Sequence, residues 1–329
     1  MTGRTQSSKK NATLGGWPSF GSFVSKLQGA APGSPAHLSL MYPTGNRTWG
    51  EPGTGGFLGA AHAPMQLVAK DPNAKVQNLT LQGLSLDRLQ DRDQLRQSVD
   101  RFRRDADLTG QMQGLDSYHQ QALGILSDSK LTAALDLSRE HPKIAARYGV
   151  DNDQYLRDGA PRMVRNFLLA RRLVEAGARV VSLNFSRWDW HGGDGLNFPS
   201  AREEFPLLDQ ALSSLLTDLK ERGLSRDVAV VVWGEFGRTP KLNNMNSRDH
   251  WPRANFCLLA GGGMKTGQVI GATDRIGADP VERPVKFQEV FATLYHCLGI
   301  DVNTATVNDH QGRPQFLVDS GIQPIRELV

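Results

Sequence analysis

The stretch VAVVVWGEFGRTPKL, residues 228–242, opens on an apolar run from Val228 to Val232 and passes at once into Trp-Gly-Glu-Phe-Gly-Arg. A short, continuous run rich in β-branched side chains and ended by glycine reads as a strand covered on both faces. In sheets of such strands, ligands bind beyond the carboxyl ends. Glu235 and Arg238 stand at that end.

Working outward, the same alternation repeats from about residue 160. A helical segment, MVRNFLLARRLVEAG, leads to the strand ARVVSLNF. A second, REEFPLLDQALSSLLTDLKERG, leads to DVAVVVWGEF. A loop, the strand NFCLLAGGG and the helix KFQEVFATLYHCLGI follow. Strands alternating with amphipathic helices specify an α/β protein with a mostly parallel sheet. Upstream, WPSFGSFVSKLQG from Trp17 has helical spacing in Phe20, Phe23, Val24 and Leu27, and HLSLMYP offers a strand at Leu38–Tyr42. The glycine- and proline-rich GEPGTGGFLGAAHAPM is expected to be an ordered surface loop. Between residues 81 and 160 long, charged, helical patterns predict a helical insertion or cover, with a stop before His141-Pro142.

The chain of 329 residues suits one large α/β domain or two ordinary ones. A net charge of +4, with both signs mixed along the chain, gives no footprint for nucleic acid. No run of apolar residues is long enough to span a membrane as a helix. The two cysteines, Cys257 and Cys297, lack metal-type spacing and are expected as free thiols in apolar surroundings.

Three polar clusters fall next to strands. ARVVSLNF runs into SRWDWHGGDGLN, with Asp189 and His191; VAVVVW runs into GEFGRTP, with Glu235 and Arg238; SRDHWP brings Asp249 and His250 just before the next strand. Together they supply three carboxylates and two imidazoles, a donor set that favours zinc or manganese over calcium. Acids and histidines gather at the edge of a buried sheet where a metal or a charged substrate compensates them; otherwise they cap turns and satisfy carbonyls. Arg238 has the planar fork that matches phosphate or sulfate oxygens, and it is equally placed for a salt bridge to Glu235. The remaining histidines lack nearby partners of this kind. The run Gly261-Gly262-Gly263 with Lys265 lacks phosphate-loop spacing and reads as a tight turn.

The segments WGEFGRTP, RDHW, LLAGGGMKTGQVIGATD and ATLYHCLGID, with LLARRLVEAGARVVSLNF, the WDxH element Trp188–His191 and ALDLSRE, resemble the family catalogued as Domain of Unknown Function family 1501. That family is similar to the alkaline phosphatase and sulfatase superfamily. The resemblance implies a single three-layer α/β/α sandwich over residues 1–329 and hydrolysis of sulfate or phosphate esters with bound metal. It matches Asp189, His191 and His250 to metal-ligand positions, and implies a small anionic ester or a sulfated or phosphorylated glycan as substrate; Glu235 and Asp249 complete the candidate ligand set, with Arg238 as the candidate anion-binding group. Glu235 departs from the Asp-His pair usual at that strand end. A metal-stabilised module that binds sulfated glycans without turnover is the alternative. The resemblance further implies an early strand and a Ser, Thr or Cys nucleophile ahead of Met1-Thr2-Gly3-Arg4. It also implies export to the periplasm, although MTGRTQSSKKNATLGG has no apolar signal stretch.

Overall fold

The computed structural model describes residues 2–4, 15–31, 33–42, 54–68, 129–155, 159–192 and 196–329. Its secondary structure begins with helix α1 (Phe20–Gln28) and strand β1 (His37–Leu40). Short 3-10 turns at Gly56–Leu58 and Ala60–His62 then lead into β2 (Met65–Gln66). Helices α2 (Ser129–Leu135) and α3 (Pro142–Arg147) fall in the expected helical insertion, and the boundary at His141-Pro142 is real: His141 caps α3 by accepting from Lys143 N at 3.2 Å. The rest of that insertion, 81–128 and 156–158, lies outside the described residues.

Helix α4 (Arg165–Glu175) precedes β3 (Val180–Leu183), and α5 (Asn197–Glu221) precedes β4 (Ala229–Trp233). Two-residue strands β5 (Gly237–Arg238) and β6 (His250–Trp251) come before β7 (Cys257–Gly261). The hairpin β8 (Ala272–Thr273) and β9 (Pro280–Glu282), helix α6 (Phe287–Cys297), and the pair β10 (Thr306–Asn308) and β11 (Pro314–Phe316) complete the chain.

The protein is mixed α/β. Its parallel character is confined to a three-stranded sheet in the order β2-β1-β3, whereas β4 and β7 pair antiparallel in register from Ala229↔Gly261 to Trp233↔Cys257. The expectation of one mostly parallel sheet is thereby reduced, and the reason is visible in the connections. A helix crosses over between parallel strands. Only a loop and the small β5–β6 hairpin lie between β4 and β7, so the chain returns in the opposite direction. After β7, Gly261, Gly262 and Gly263 all have left-handed φ, and a Cβ at Gly261 would meet the Val228 carbonyl oxygen at 2.2 Å. The glycine run is the tight turn that the spacing predicts.

Apolar side chains cover the strands from two sides. Leu183, Val228 and Val230 pack with Phe167 and Leu168 of α4 and Ala211, Leu215 and Leu219 of α5. On the other side, Val180 and Trp233 join Phe23 and Val24 of α1 and Phe291, Ala292 and Tyr295 of α6, while Ala229 and Val231 meet Val290 and Leu294 of α6. Strands β3 and β4 therefore share helical cover on both faces, yet no ladder joins them. All four residues of β1 are buried; every residue of β3 and β4 is only half-buried.

Residues 2–4 lie against this second helical layer. The Gly3 carbonyl accepts from Gln288 at 2.9 Å, and a Cβ at Gly3 would touch the Phe291 ring. Arg4 pairs with Asp319, donates to the Phe316 carbonyl at 2.6 Å and lies over Trp17. Cys257 and Cys297 are both free and half-buried, and burial raises both thiol pKa values. No helix among the described residues is long and apolar enough to cross a membrane.

Candidate metal centre

Strand β3 ends at Leu183, and the chain then makes a sharp adjustment. Ser186 has φ 58°, a left-handed value uncommon for a residue with a Cβ, and its buried hydroxyl finds no hydrogen-bond partner. Its backbone is fixed from both sides, with Ser186 N donating to Pro161 O at 3.3 Å and Ala160 N donating to Ser186 O at 3.0 Å. The turn delivers Trp188, Asp189, Trp190 and His191. Because the strain lies in the backbone, Ser186→Gly should stay within about 1 kcal/mol of the parent, relief of the left-handed residue offsetting a looser unfolded chain. Ser186→Val should cost about 2 kcal/mol or more. Urea unfolding of the two variants decides this, and equal losses would contradict a strained turn.

The second half of the site comes from the β5–β6 hairpin. Its register sets Arg238 directly opposite His250, and directly opposed residues project from the same face. His250 donates from Nε2 to Asp189 Oδ1 at 2.6 Å, and His191 Nε2 lies 3.8 Å from the same oxygen. The two imidazole rings meet edge to face at 4.9 Å. One donor atom from each of Asp189, His191 and His250 falls within 4.8 Å of the others. All three side chains are partly open to solvent, with exposures of 34%, 37% and 43%, so an ion has access.

The site does not gather every expected ligand. Glu235 is exposed and lies outside the group. Asp249 is also outside it: its carboxylate accepts from Asn243 Nδ2 at 2.9 Å, and it precedes His250 in an extended segment where neighbours face opposite ways. Arg238 does belong here. Its Nη2 donates to Trp188 O at 2.7 Å and lies 3.7 Å from Asp189 Oδ1, so its ion pair runs to Asp189. Its Nη1 is buried with no hydrogen-bond partner. Burial lowers the guanidinium pKa, against the opposing pull of Asp189 and Glu235.

Asn243 is a positioning residue that sequence reading does not find. Its amide donates to His191 O at 2.8 Å as well as to Asp249, while its Oδ1 accepts from Met245 N and Ser247 N. One side chain thus ties the 243–247 turn to the backbone of a candidate ligand. Its only signal in sequence is an Asn-Asn pair in a loop, which is common in any turn. The other described histidines serve elsewhere: His37 is buried in β1, His62 bonds Ser25 Oγ at 3.1 Å, His141 caps α3, and His296 and His310 are exposed. His119 lies outside the described residues.

Two imidazole nitrogens and one carboxylate oxygen, partly open to solvent, could hold a metal ion. The Arg238 guanidinium places positive charge beside them, its Nη2 3.7 Å from Asp189 Oδ1. No curated protein and no solved structure matches the chain. A family model matches it along its whole length, residues 1–329, and the chain belongs to that family, described as Protein of unknown function (DUF1501).

Proposed function

We propose that the site serves metal-dependent hydrolysis of sulfate or phosphate esters. The observation that carries this reading is the convergence of Asp189, His191 and His250, with the Arg238 guanidinium 3.7 Å from Asp189 Oδ1. A metal held by the triad would supply positive charge to polarise the ester oxygen. Arg238, held by the Trp188 carbonyl through Nη2, would supply the positive charge that binds the anion. Asn243 fixes the segment that carries His191.

The three-layer α/β/α arrangement belongs to the same proposal. Supporting it are the helical layers on both sides of β3 and β4 and, among the described residues, an edge of each of those strands that carries no ladder. A Ser, Thr or Cys nucleophile completes this reading, with export as the resemblance implies. The alternative is a metal-stabilised module that binds sulfated glycans without turnover. In its favour, the hydroxyls on the site's own loop are engaged: Thr239 Oγ1 donates to Lys241 O at 2.8 Å and Ser247 donates to Asn197.

A screen of aryl sulfates and aryl phosphates, with zinc or manganese added, separates the two. The expected result is metal-dependent turnover that is lost in His191→Ala and His250→Ala. Metal-dependent binding of the esters without turnover would favour the module.

A further inference from the structure

Large apolar side chains crowd the rim of this polar site. Phe198, Phe205, Leu242 and Met245 are each between 42% and 51% exposed. Single exposed apolar residues are ordinary, but several set around one charged site mark a binding surface. Phe198 and Phe205 lie seven residues apart on α5 and so share one face. The Phe205 ring is 5.3 Å from that of Trp188, whose carbonyl holds Arg238 and whose neighbour is Asp189. On the other flank Met245 Sδ sits against Gly192, 2.8 Å from where a Cβ would be, in the turn that Asn243 ties to His191. Arg248 links the two flanks: its guanidinium lies 5.7 Å from the Phe198 ring and donates to the Pro240 carbonyl at 2.6 Å.

Resting on the reading of the site as an anion-ester centre, we infer that its ligand is an amphipathic anion whose anionic head meets Arg238 and the triad and whose apolar body lies on the ledge of Trp188, Phe205, Phe198 and Met245. Charge complementarity fixes one end of this ligand. The other end is chosen by what the ledge lacks: phenyl and thioether groups offer no hydrogen bonds to the hydroxyls of a sugar. The Trp188 indole N–H is already donated to Phe185 O at 2.6 Å. The site therefore selects an aryl or similarly apolar ester over a glycan.

The test is calorimetric binding of non-hydrolysable phosphonates to the zinc-loaded chain. Methylphosphonate is the reference, phenylphosphonate and 1-naphthylphosphonate extend the apolar body, and glucose 6-phosphate is the sugar comparator. Burial of one aromatic ring should tighten binding about tenfold over methylphosphonate. Phe205→Ala and Met245→Ala, each checked for an unchanged melting temperature, should remove most of that gain. Equal affinity for methyl and naphthyl heads, a gain that survives both substitutions, or glucose 6-phosphate binding as tightly as the naphthyl compound would each overturn the inference while leaving the anion site standing. If the zinc-loaded protein binds none of the four, the reading of the site fails and this inference falls with it.

Discussion

Replacing Arg171 with methionine should destabilise the protein by about 3–5 kcal/mol, because it strands buried carboxylates without their partner. The Arg171 side chain is 1% exposed. It donates to Asp218 at 3.0 Å, to Glu175 at 2.6 Å and to Glu140, joining α4 and α5 to the segment between α2 and α3. Arg172 reaches Glu140 at 3.0 Å, and Arg222 reaches Asp218 at 3.2 Å and Glu175 at 3.0 Å. Tyr148 adds a hydrogen bond to Asp218 at 3.0 Å. Three arginines thus face three carboxylates. Burial works against the Arg171 charge, but Glu175, Glu140 and Asp218 outweigh it and raise its pKa above the ordinary value. The control is Arg147→Met, which removes an exposed pair with Glu221 at 2.9 Å and should cost less than about 1 kcal/mol. Urea unfolding curves compare the two, and similar losses would show that the network is not coupled to burial.

A second large effect should appear as pH falls. His37 is buried in β1 with Nδ1 unpartnered, and a Cβ at Gly21 would lie 2.4 Å from that nitrogen, so the ring has no room for water. Burial lowers its pKa from 6.5 to about 4. The folded state therefore resists a proton that the unfolded chain accepts. Stability is full above about pH 6.5, declines through the window down to about 4, and loses about 3 kcal/mol in all. His62 shifts in the same direction, from burial and from Lys26. Subtracting the pH profile of His37→Gln from that of the parent isolates the His37 contribution. The difference should grow steadily from pH 7 to pH 5; a constant difference would mean that His37 is protonated in the fold.

Some elements were legible because local chemistry and tertiary packing agree. Helices α1, α4, α5 and α6 and strands β1, β3, β4 and β7 lie where periodicity puts them, and the His141-Pro142 boundary is set by proline itself. The direction of β7 was readable in principle, since no helix intervenes after β4, but a run such as CLLAG looks the same in either orientation. The pairing of β3 with β1, separated by more than 140 residues, leaves no local trace; register such as His37↔Val180 is decided by packing.

The candidate site divides the same way. Asp189, His191 and His250 stand out by residue type next to strands, and the fold brings them together. Glu235 has the right type at the right strand end, yet it is solvent-exposed outside the group, because adjacent strand-end positions diverge once the backbone turns through Gly234 and Gly237. Ser186 and Asn243 act through backbone geometry. Neither a left-handed φ nor a side-chain amide bond across more than 50 residues is visible in composition or spacing.

The central claim is that Asp189, His191 and His250 form a metal centre. Zinc titration of the purified, metal-free chain by calorimetry, repeated on His191→Ala, His250→Ala and His296→Ala, tests it most directly. The account predicts one zinc per chain in the parent and in His296→Ala, with a rise in melting temperature on binding, and affinity lowered at least about 100-fold in the other two. A parent chain that takes up no zinc, or equal loss in all three variants, would contradict it.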